Sequence, residues 1–587
     1  MIMKSVLSSA LSCVPFCAHD DGNRLQMAAN FLRQSLVLVN PQLPYISTSY
    51  LQEVTKLTTF LKQAAEDIQI LYRNEEIVVY KSLTTGKVYL YRIPSSLWSV
   101  SVQDTVKEGE VFAQHTAVKF GRYCAGANLK VVFAPYEGWN YEDAIVVSES
   151  GAQKLTSQYV KSFELILEPN EVLMKYPIVG RFYKKGEILF EWTSAPKNPI
   201  NVLCTSVDKR RIFADADLVI ERVSTYYKSE KYLDLHKSSP TVLKWIKEHN
   251  KPKAVKTLLS SIDPSIAKVT PLYFPESYEL VGNQDAIVIV AQAKIVRSFC
   301  VGDKLGNRHG NKGVCSIIVP DRYVTSKDGW VPDLVLNPLG VISRMNIGQI
   351  FEMHLGEVCR VVEERVRELV EFEKYDEAFK LLQSIEKITK GTIPYLHLKL
   401  SVKERLALLL EFGFTLELPL YTRSPKEMIR KCMKLLGVSP TKVWRMGALE
   451  RDFGYGTMYF MSLVHTVESK FSTRADGPYH IKTLQPCDDE CHSSGQRLGE
   501  MEIWNLLAYG AIHNVVETLG FKADDIIAKE NMISHCLKVG EPPVAPDSVY
   551  TNHSLYLYLY ALGVNVGGVS VLSDTDVAQK CLEWGDL

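Results

Sequence analysis

Between residues 351 and 369, Phe351, Leu355, Val358, Val362, Val366 and Leu369 recur at intervals of four and three. A helix turns once every 3.6 residues, so this stripe predicts a helix with one face packed into a core. Upstream the period changes. IVVYKSLTTGKVYLYRI (77–93) is two β-rich runs around Thr84, Thr85 and Gly86, the pattern of a hairpin. DAIVIVAQAKIV (285–296) is apolar enough for a buried strand. KEGEVF (107–112) and KKGEIL (184–189) each place a Lys- and Gly-bearing turn before a strand start. A helix is expected over residues 51–70. Ser401-x-x-Glu404 and Ser424-Pro-x-Glu427 have capping-box spacing, the second with Pro at the first helical position and Gly437 as a stop. EMEIWNLLAYGAIHNVVETLG (500–520) puts Met501, Trp504, Ala508, Ala511 and Val515 on one face of a helix ending at Gly520.

These elements describe an α+β chain of several domains, and 587 residues exceed what one core usually holds. Strand-like pieces (FELILE, LFEW, LVIERV) alternate with Lys-rich segments over 160–285, which reads as a projecting module. Hydrophobic and charged fractions of 46% and 23% exclude bulk disorder. No run approaches the ~20 apolar residues of a membrane helix. Lys plus Arg and Asp plus Glu both number 67, a balance that argues against a free-standing nucleic-acid binder. Contact with nucleic acid would then need local patches or a larger assembly. Cys13 and Cys17, and Cys487 and Cys491 before His492, are four apart. That is not zinc spacing, and the twelve cysteines read as thiols of a reducing compartment. The start, MIMKSVLSSALSCVPFCAHDD, has one early lysine and an apolar run, and is open between a signal peptide and mature protein.

Four stretches carry candidate chemistry. GDKLGNRHGNKG (302–313) holds four glycines with Lys304, Arg308, His309 and Lys312, opposed only by Asp303. A P-loop needs G-x-x-x-x-G-K-[ST]; here Gly313 follows Lys312, so the hydroxyl and the spacing are both missing. What remains is a basic loop that could approach a polyanion, or a solvated turn. YEGWNYEDAIVVSES (136–150) places Glu142 and Asp143 beside a strand. Adjacent strand residues face opposite ways, so they make a poor acid/base pair, and a strand cap is the simpler alternative. In NPLGVISRMNIGQIFEMHLG (337–356), Arg344 follows a turn and can reach phosphate or cap a carbonyl. RADGPYHIKTLQPCDDECHSSGQRLGEMEIWNLLAYGA (474–511) is a loop with Arg474, Lys482 and Arg497 entering the Trp504 helix, or an ordinary surface loop.

The order of HDDGNRLQMAANFLRQ, GWNYEDAIVVSE, GDKLGNRHGNKG, NPLGVISRMNIGQI and GQRLGEMEIWNLLAYGA resembles the second half of the β subunit of multisubunit DNA-dependent RNA polymerase. The resemblance is strongest over 14–36, 116–150, 285–356 and 441–520, and weak over 160–285 and 356–440. It implies a split β subunit whose N-terminal half is a separate chain, and an apolar start that is interior protein. The implied architecture is a β-rich hybrid-binding core with a double-psi-barrel-like element, a projecting flap or wall module and a C-terminal helical anchor or clamp region. The boundaries would be 1–115 for the end of the lobe and entry to the core, 116–160 for the Glu-Asp strand region and 161–284 for the flap-like module. They would continue with 285–356 for the hybrid-binding core, 357–440 for a variable helical region, 441–510 for a switch region near the clamp and 511–587 for the anchor.

By the same resemblance the chain is a nucleotidyltransferase subunit, active only in a complex. Lys304 and Lys312 would lie along the RNA 3′ end and incoming NTP, and Arg24 and Arg344 would meet the triphosphate. Glu142 and Asp143 would sit near a nucleotide-borne Mg2+, with Asn30 and Arg33 lining the cleft. Arg308, His309, His465, Arg474 and Arg497 complete the implied nucleic-acid and substrate contacts, His465 near the initiating nucleotide. The N-A-D-F-D-G-D motif that holds catalytic Mg2+ in the family is missing from this sequence. The metal would therefore come from a β′-like partner, beside the β N-terminal half, template DNA, RNA, NTPs and a promoter-specificity factor, with no membrane. The flap region lacks expected motifs, and PCDDECHSSGQR carries Asp488, Asp489 and Glu490 where the family is Gly- and Lys-rich. Such divergence resembles a large-bacteriophage enzyme in an infected bacterial cytoplasm, with a split plastid subunit in the stroma as the alternative. The rival classes are a structural subunit without catalytic contribution and a stand-alone NTPase or hydrolase.

Overall fold

The computed structural model describes residues 7–564 except 74–76, 102, 195–208, 229, 237, 251–285, 447–448, 472, 476, 481–484, 488–493, 524–525, 542 and 544–549. Lys482 and the acidic residues 488–490 therefore lie outside the described residues. The chain divides into two units, Met1–Ser469 and Lys470–Leu587.

The first unit is organised by six strands: β1 (Ala127–Phe133), β2 (Ala144–Ser148), β3 (Lys304–Asn307), β4 (Lys312–Val319), β5 (Leu334–Leu336) and β6 (Leu449–Ser462). They neighbour one another in the order β1-β5-β2-β4-β3-β6, and β6 returns to pair antiparallel with β1 from Ala127↔Phe460 to Phe133↔Gly454. The ring is thus a closed six-stranded barrel, which leaves no free sheet edge among these strands. Leu129, Val131, Ile145, Val147, Leu305, Cys315, Leu334, Met458 and Phe460 bury one another in a single cluster.

Three helices brace the barrel strands: α1 (Gly22–Arg33), α2 (Leu339–Arg344) and α3 (Gly348–Glu371). The predicted stripe on α3 holds: Leu355, Val358, Val362 and Val366 are fully buried against the helices Tyr375–Thr389, Val402–Phe412 and Pro425–Leu436, and Phe351 and Leu369 pack at its margin. Ser401 and Glu404 form the expected capping box. Ser424 does not: its φ of 54° turns the hydroxyl away from a cap, while Pro425 and Gly437 start and stop the helix as their types demand. Arg344 ends a short helix of its own rather than following an open turn.

The helix expected over 51–70 is confined to Tyr50–Lys56; strands Leu61–Gln63 and Ile68–Arg73 follow. Ile68 and Ile70 are buried around exposed Gln69, a period of two that a helix cannot satisfy. The 77–93 hairpin forms, Ile77–Ser82 pairing with Val88–Arg92 across Gly86 at φ 67°. The two Lys-Gly turns are built alike. Gly109 N–H donates to Ala64 O and Glu108 N–H to Asp67, while Gly186 N–H donates to Ala214 O and Lys185 N–H to Asp217.

Strand Ile287–Arg297 pairs between Ser157–Leu167 and Leu218–Tyr226, so it belongs to the module's sheet and delivers the chain from there to β3. In the second unit the segment 500–520 is two helices, Glu500–Tyr509 and Ile512–Leu519, because Gly510 at φ 82° breaks the single helix expected.

Candidate functional site

Residues 302–313 are a structured hairpin, not a flexible loop. Its register pairs Lys304↔Val314, Leu305↔Gly313 and Gly306↔Lys312. Opposed residues share a face, so Lys304, Gly306, Lys312 and Val314 lie on the outer face and Leu305 and Cys315 join the barrel core. Lys304 and Lys312 are diagonal neighbours, with backbones ~7–8 Å apart. Both are half-buried. The glycines serve protein packing rather than approach to a ligand. A Cβ on Gly313 would lie 2.3 Å from Asp143 O, and one on Gly310 (φ 72°) would lie 2.2 Å from Arg24 O.

Beneath this face lies a buried charged network that the sequence did not announce. His309, with no exposed surface, donates from Nδ1 to Asp20 Oδ2 at 2.6 Å and contacts Glu352 through Nε2. Arg308 Nη2 meets Glu352 Oε1 at 2.6 Å, and its guanidinium lies 5.1 Å from the Tyr459 ring centre. Burial alone would lower the His309 pKa, but Asp20 and Glu352 outweigh it and hold the imidazolium up to about 9. For Glu352, burial opposes ionisation, yet Arg308 and His309 hold it at about 2. Asp20 Oδ1 also accepts from Gly348 N–H at 2.8 Å, tying α3's first residue to the segment before α1. Asn307, Asn346 and Gln349 extend the hydrogen bonding, Asn346 Nδ2 donating to His309 O. Asp303, the one acidic residue of the hairpin, is bound by Arg297 through both oxygens at 2.6 and 2.9 Å.

On the outer side, four segments meet. Arg344 forms an ion pair with exposed Asp143. Arg24 Nη1 donates to Gly310 O at 3.5 Å; burial first, and then Arg344, lower its pKa, while Asp143 and Asp21 partly offset them. Val314 N–H donates to Asp143 O, which pins the Glu-Asp segment to the hairpin. Glu142 takes φ 52°, a strained left-handed conformation, and its loop is held by buried Asn140, which accepts from Tyr136 N–H and donates to Ala134 O. Along α1, Phe31 packs over Gly306 and lies 5.9 Å from Lys312 Nζ, while Asn30 and Arg33 stay exposed on the same helix. His465 reaches Gln34, just past α1, at 3.2 Å.

Comparison with known proteins fits this geometry. The family model for RNA polymerase Rpb2, domain 6, matches residues 12–491, and that for Rpb2, domain 7, matches residues 494–566. The chain belongs to the RNA polymerase Rpb2 family. The DNA-directed RNA polymerase subunit beta of Deinococcus radiodurans is 28% identical, covering 99% of this chain and 51% of that protein. That of Gloeobacter violaceus is 29% identical, covering 98% and 50%. That of Prochlorococcus marinus (strain MIT 9515) is 28% identical, covering 96% and 49%. The chain spans about half the length of the curated relatives it matches.

For this Rpb2-family chain, the structure brings Arg24, Lys312, Arg344, Glu142 and Asp143 together, with Lys304 on the same hairpin, Asn30 and Arg33 on α1, and His465, just past β6, against Gln34. It corrects Arg308 and His309. Both are buried and held by Glu352 and Asp20, so they have no surface to offer nucleic acid. Arg474 and Arg497 belong to the second unit, Arg474 against Pro478 O and the Tyr479 ring. Asp20, Asn140 and Glu352 were missed. Their signal was faint: an acidic pair just before α1, and Gln349 and Glu352 as polar residues one turn apart on an otherwise amphipathic helix.

Proposed function

We propose that this chain forms one wall of the active-site cleft of a DNA-directed RNA polymerase, contacting the RNA 3′ end, the incoming NTP and the RNA–DNA hybrid. The observation that carries this is the meeting of Lys312, Arg24 and Arg344 from three segments at one end of the barrel, with Lys304 beside them on the same hairpin face. Nucleotidyl transfer joins the RNA 3′ oxygen to an α-phosphate and releases pyrophosphate. Fixed cations around the triphosphate stabilise the charge that develops. Arg24 and Arg344 are suited to phosphate oxygens, and Lys304 and Lys312 act as point charges along the 3′ end. All four residues are half-buried.

Among the described residues no group of three or more His, Cys, Asp or Glu could hold a metal ion. Asp143 is committed to Arg344. We assign the Mg2+ mainly to a β′-like partner and the nucleotide, with Glu142 and Asp143 near the nucleotide-borne ion through water or the lysines. The remaining partners in this proposal are the portion of the β subunit outside the matched half, template DNA, RNA and a promoter-specificity factor. For the lineage we keep a diverged bacteriophage enzyme acting in the host cytoplasm, with a plastid as the alternative, on the altered PCDDECHSSGQR loop of the sequence. In the assembled enzyme, K304A/K312A should lower nucleotide addition at least ~100-fold, the scale of removing preorganised transition-state contacts, without changing the co-purifying chains. Undiminished addition would refute the proposal.

A further inference from the structure

We propose that His309 is a positioning residue: bridged to Asp20 and Glu352, it locks the three segments bearing Arg24, Lys312 and Arg344 into one unit and so sets the site's grip on the incoming nucleoside triphosphate. This rests on the reading of the chain as a polymerase wall.

The connectivity carries the inference. Asp20 lies four residues before Arg24, His309 three before Lys312, and Gly348 four after Arg344. Asp20 accepts from both His309 and Gly348. Asn346 donates to His309 O, and Arg24 to Gly310 O. Each phosphate-facing cation is thus within about one helical turn of chain from the same buried junction. Both ring nitrogens of His309 face carboxylates. A neutral imidazole has only one N–H, so its second nitrogen would point a lone pair at a carboxylate; the imidazolium satisfies both. Asp20, Glu352, His309 and Arg308 then balance to zero net charge inside the protein. The groups facing His309 are Asp20 from the segment before α1 and Glu352 from α3. Arg308 lies behind Glu352, with Tyr459 of β6 and Cys13 beside that guanidinium. Loss of the His309 proton, expected as pH rises past about 9, leaves two buried carboxylates without their link.

The test uses the assembled polymerase with wild-type, H309Q, D20N/H309Q and K304A/K312A forms. Single-nucleotide addition is measured against NTP concentration from pH 7 to 9.5. Gln keeps the size and one donor but removes the charge. H309Q should raise KM for NTP about tenfold with a smaller change in kcat. Wild type should show KM rising at the alkaline end, a limb absent from H309Q. D20N/H309Q should recover part of the loss, because the amide no longer leaves a stranded carboxylate. Wild-type kinetics in H309Q, or the same alkaline limb in H309Q as in wild type, would overturn the inference. If H309Q fails to assemble, D20N/H309Q carries the test: a flat KM profile supports the inference and a wild-type limb overturns it. The two readings fail separately. Addition that survives K304A/K312A removes the polymerase-wall reading, whereas loss in K304A/K312A with a wild-type H309Q removes only the role of His309.

Discussion

Replacing Glu352 with Ala tests the buried network as a structural element. Glu352 is 2% exposed, and its two oxygens serve Arg308, His309 and the Tyr459 N–H. Removing one partner of a buried ion pair costs about 3–5 kcal/mol, because the remaining charges keep their desolvation penalty without their attraction. The orphaned Tyr459 amide adds about 1–3 kcal/mol. We expect E352A to destabilise the first unit by at least ~3 kcal/mol. Urea titration followed by tryptophan fluorescence reads this directly, since Trp330 and Trp444 are buried against barrel strands. The pH dependence has a definite sign. Glu352 is held at about 2, below its ordinary range near 4.5, so its contribution is present above pH ~4.5 and fades as pH falls through about 2. His309 is raised to about 9, so its contribution is full below pH ~6.5 and fades as pH rises through about 9. Wild type should therefore lose stability between pH 6.5 and 9. An E352A cost below ~1 kcal/mol, the range of an exposed pair, would refute the account of a desolvated network.

Two further substitutions test local geometry. G310A should cost at least ~1–2 kcal/mol from its left-handed backbone, and more from contact with Arg24 O, seen as a lower urea midpoint; an unchanged midpoint would contradict the packing of the hairpin tip on α1. S401A should cost ~0.5–2 kcal/mol while S424A stays within ~0.5 kcal/mol, since only Ser401 caps its helix; equal effects in urea titration would contradict the cap assignment.

Where one local period governed an element, it was legible in the sequence. The Leu355–Val366 stripe, the 77–93 hairpin and the paired Lys-Gly turns all follow from neighbours within a few residues. The helix over 51–70 failed because Ile68 and Ile70 answer to a sheet partner, and the 500–520 helix failed at Gly510. At the site, the charge of the 302–313 hairpin was visible, but the division of labour within it was not. Arg308 and His309 look identical in type to phosphate ligands. Their partners Asp20 and Glu352 lie 289 and 44 residues away in the chain, and only the closed barrel brings them inward. The same closure fixes Lys304 and Lys312 outward, because β-pairing alternates faces.

The most direct measurement of the central claim is single-nucleotide addition by the assembled enzyme carrying K304A/K312A, at saturating template and RNA primer, with assembly verified by mass spectrometry of the co-purified chains. The account predicts intact assembly and at least ~100-fold slower addition. Intact assembly with wild-type addition would contradict it.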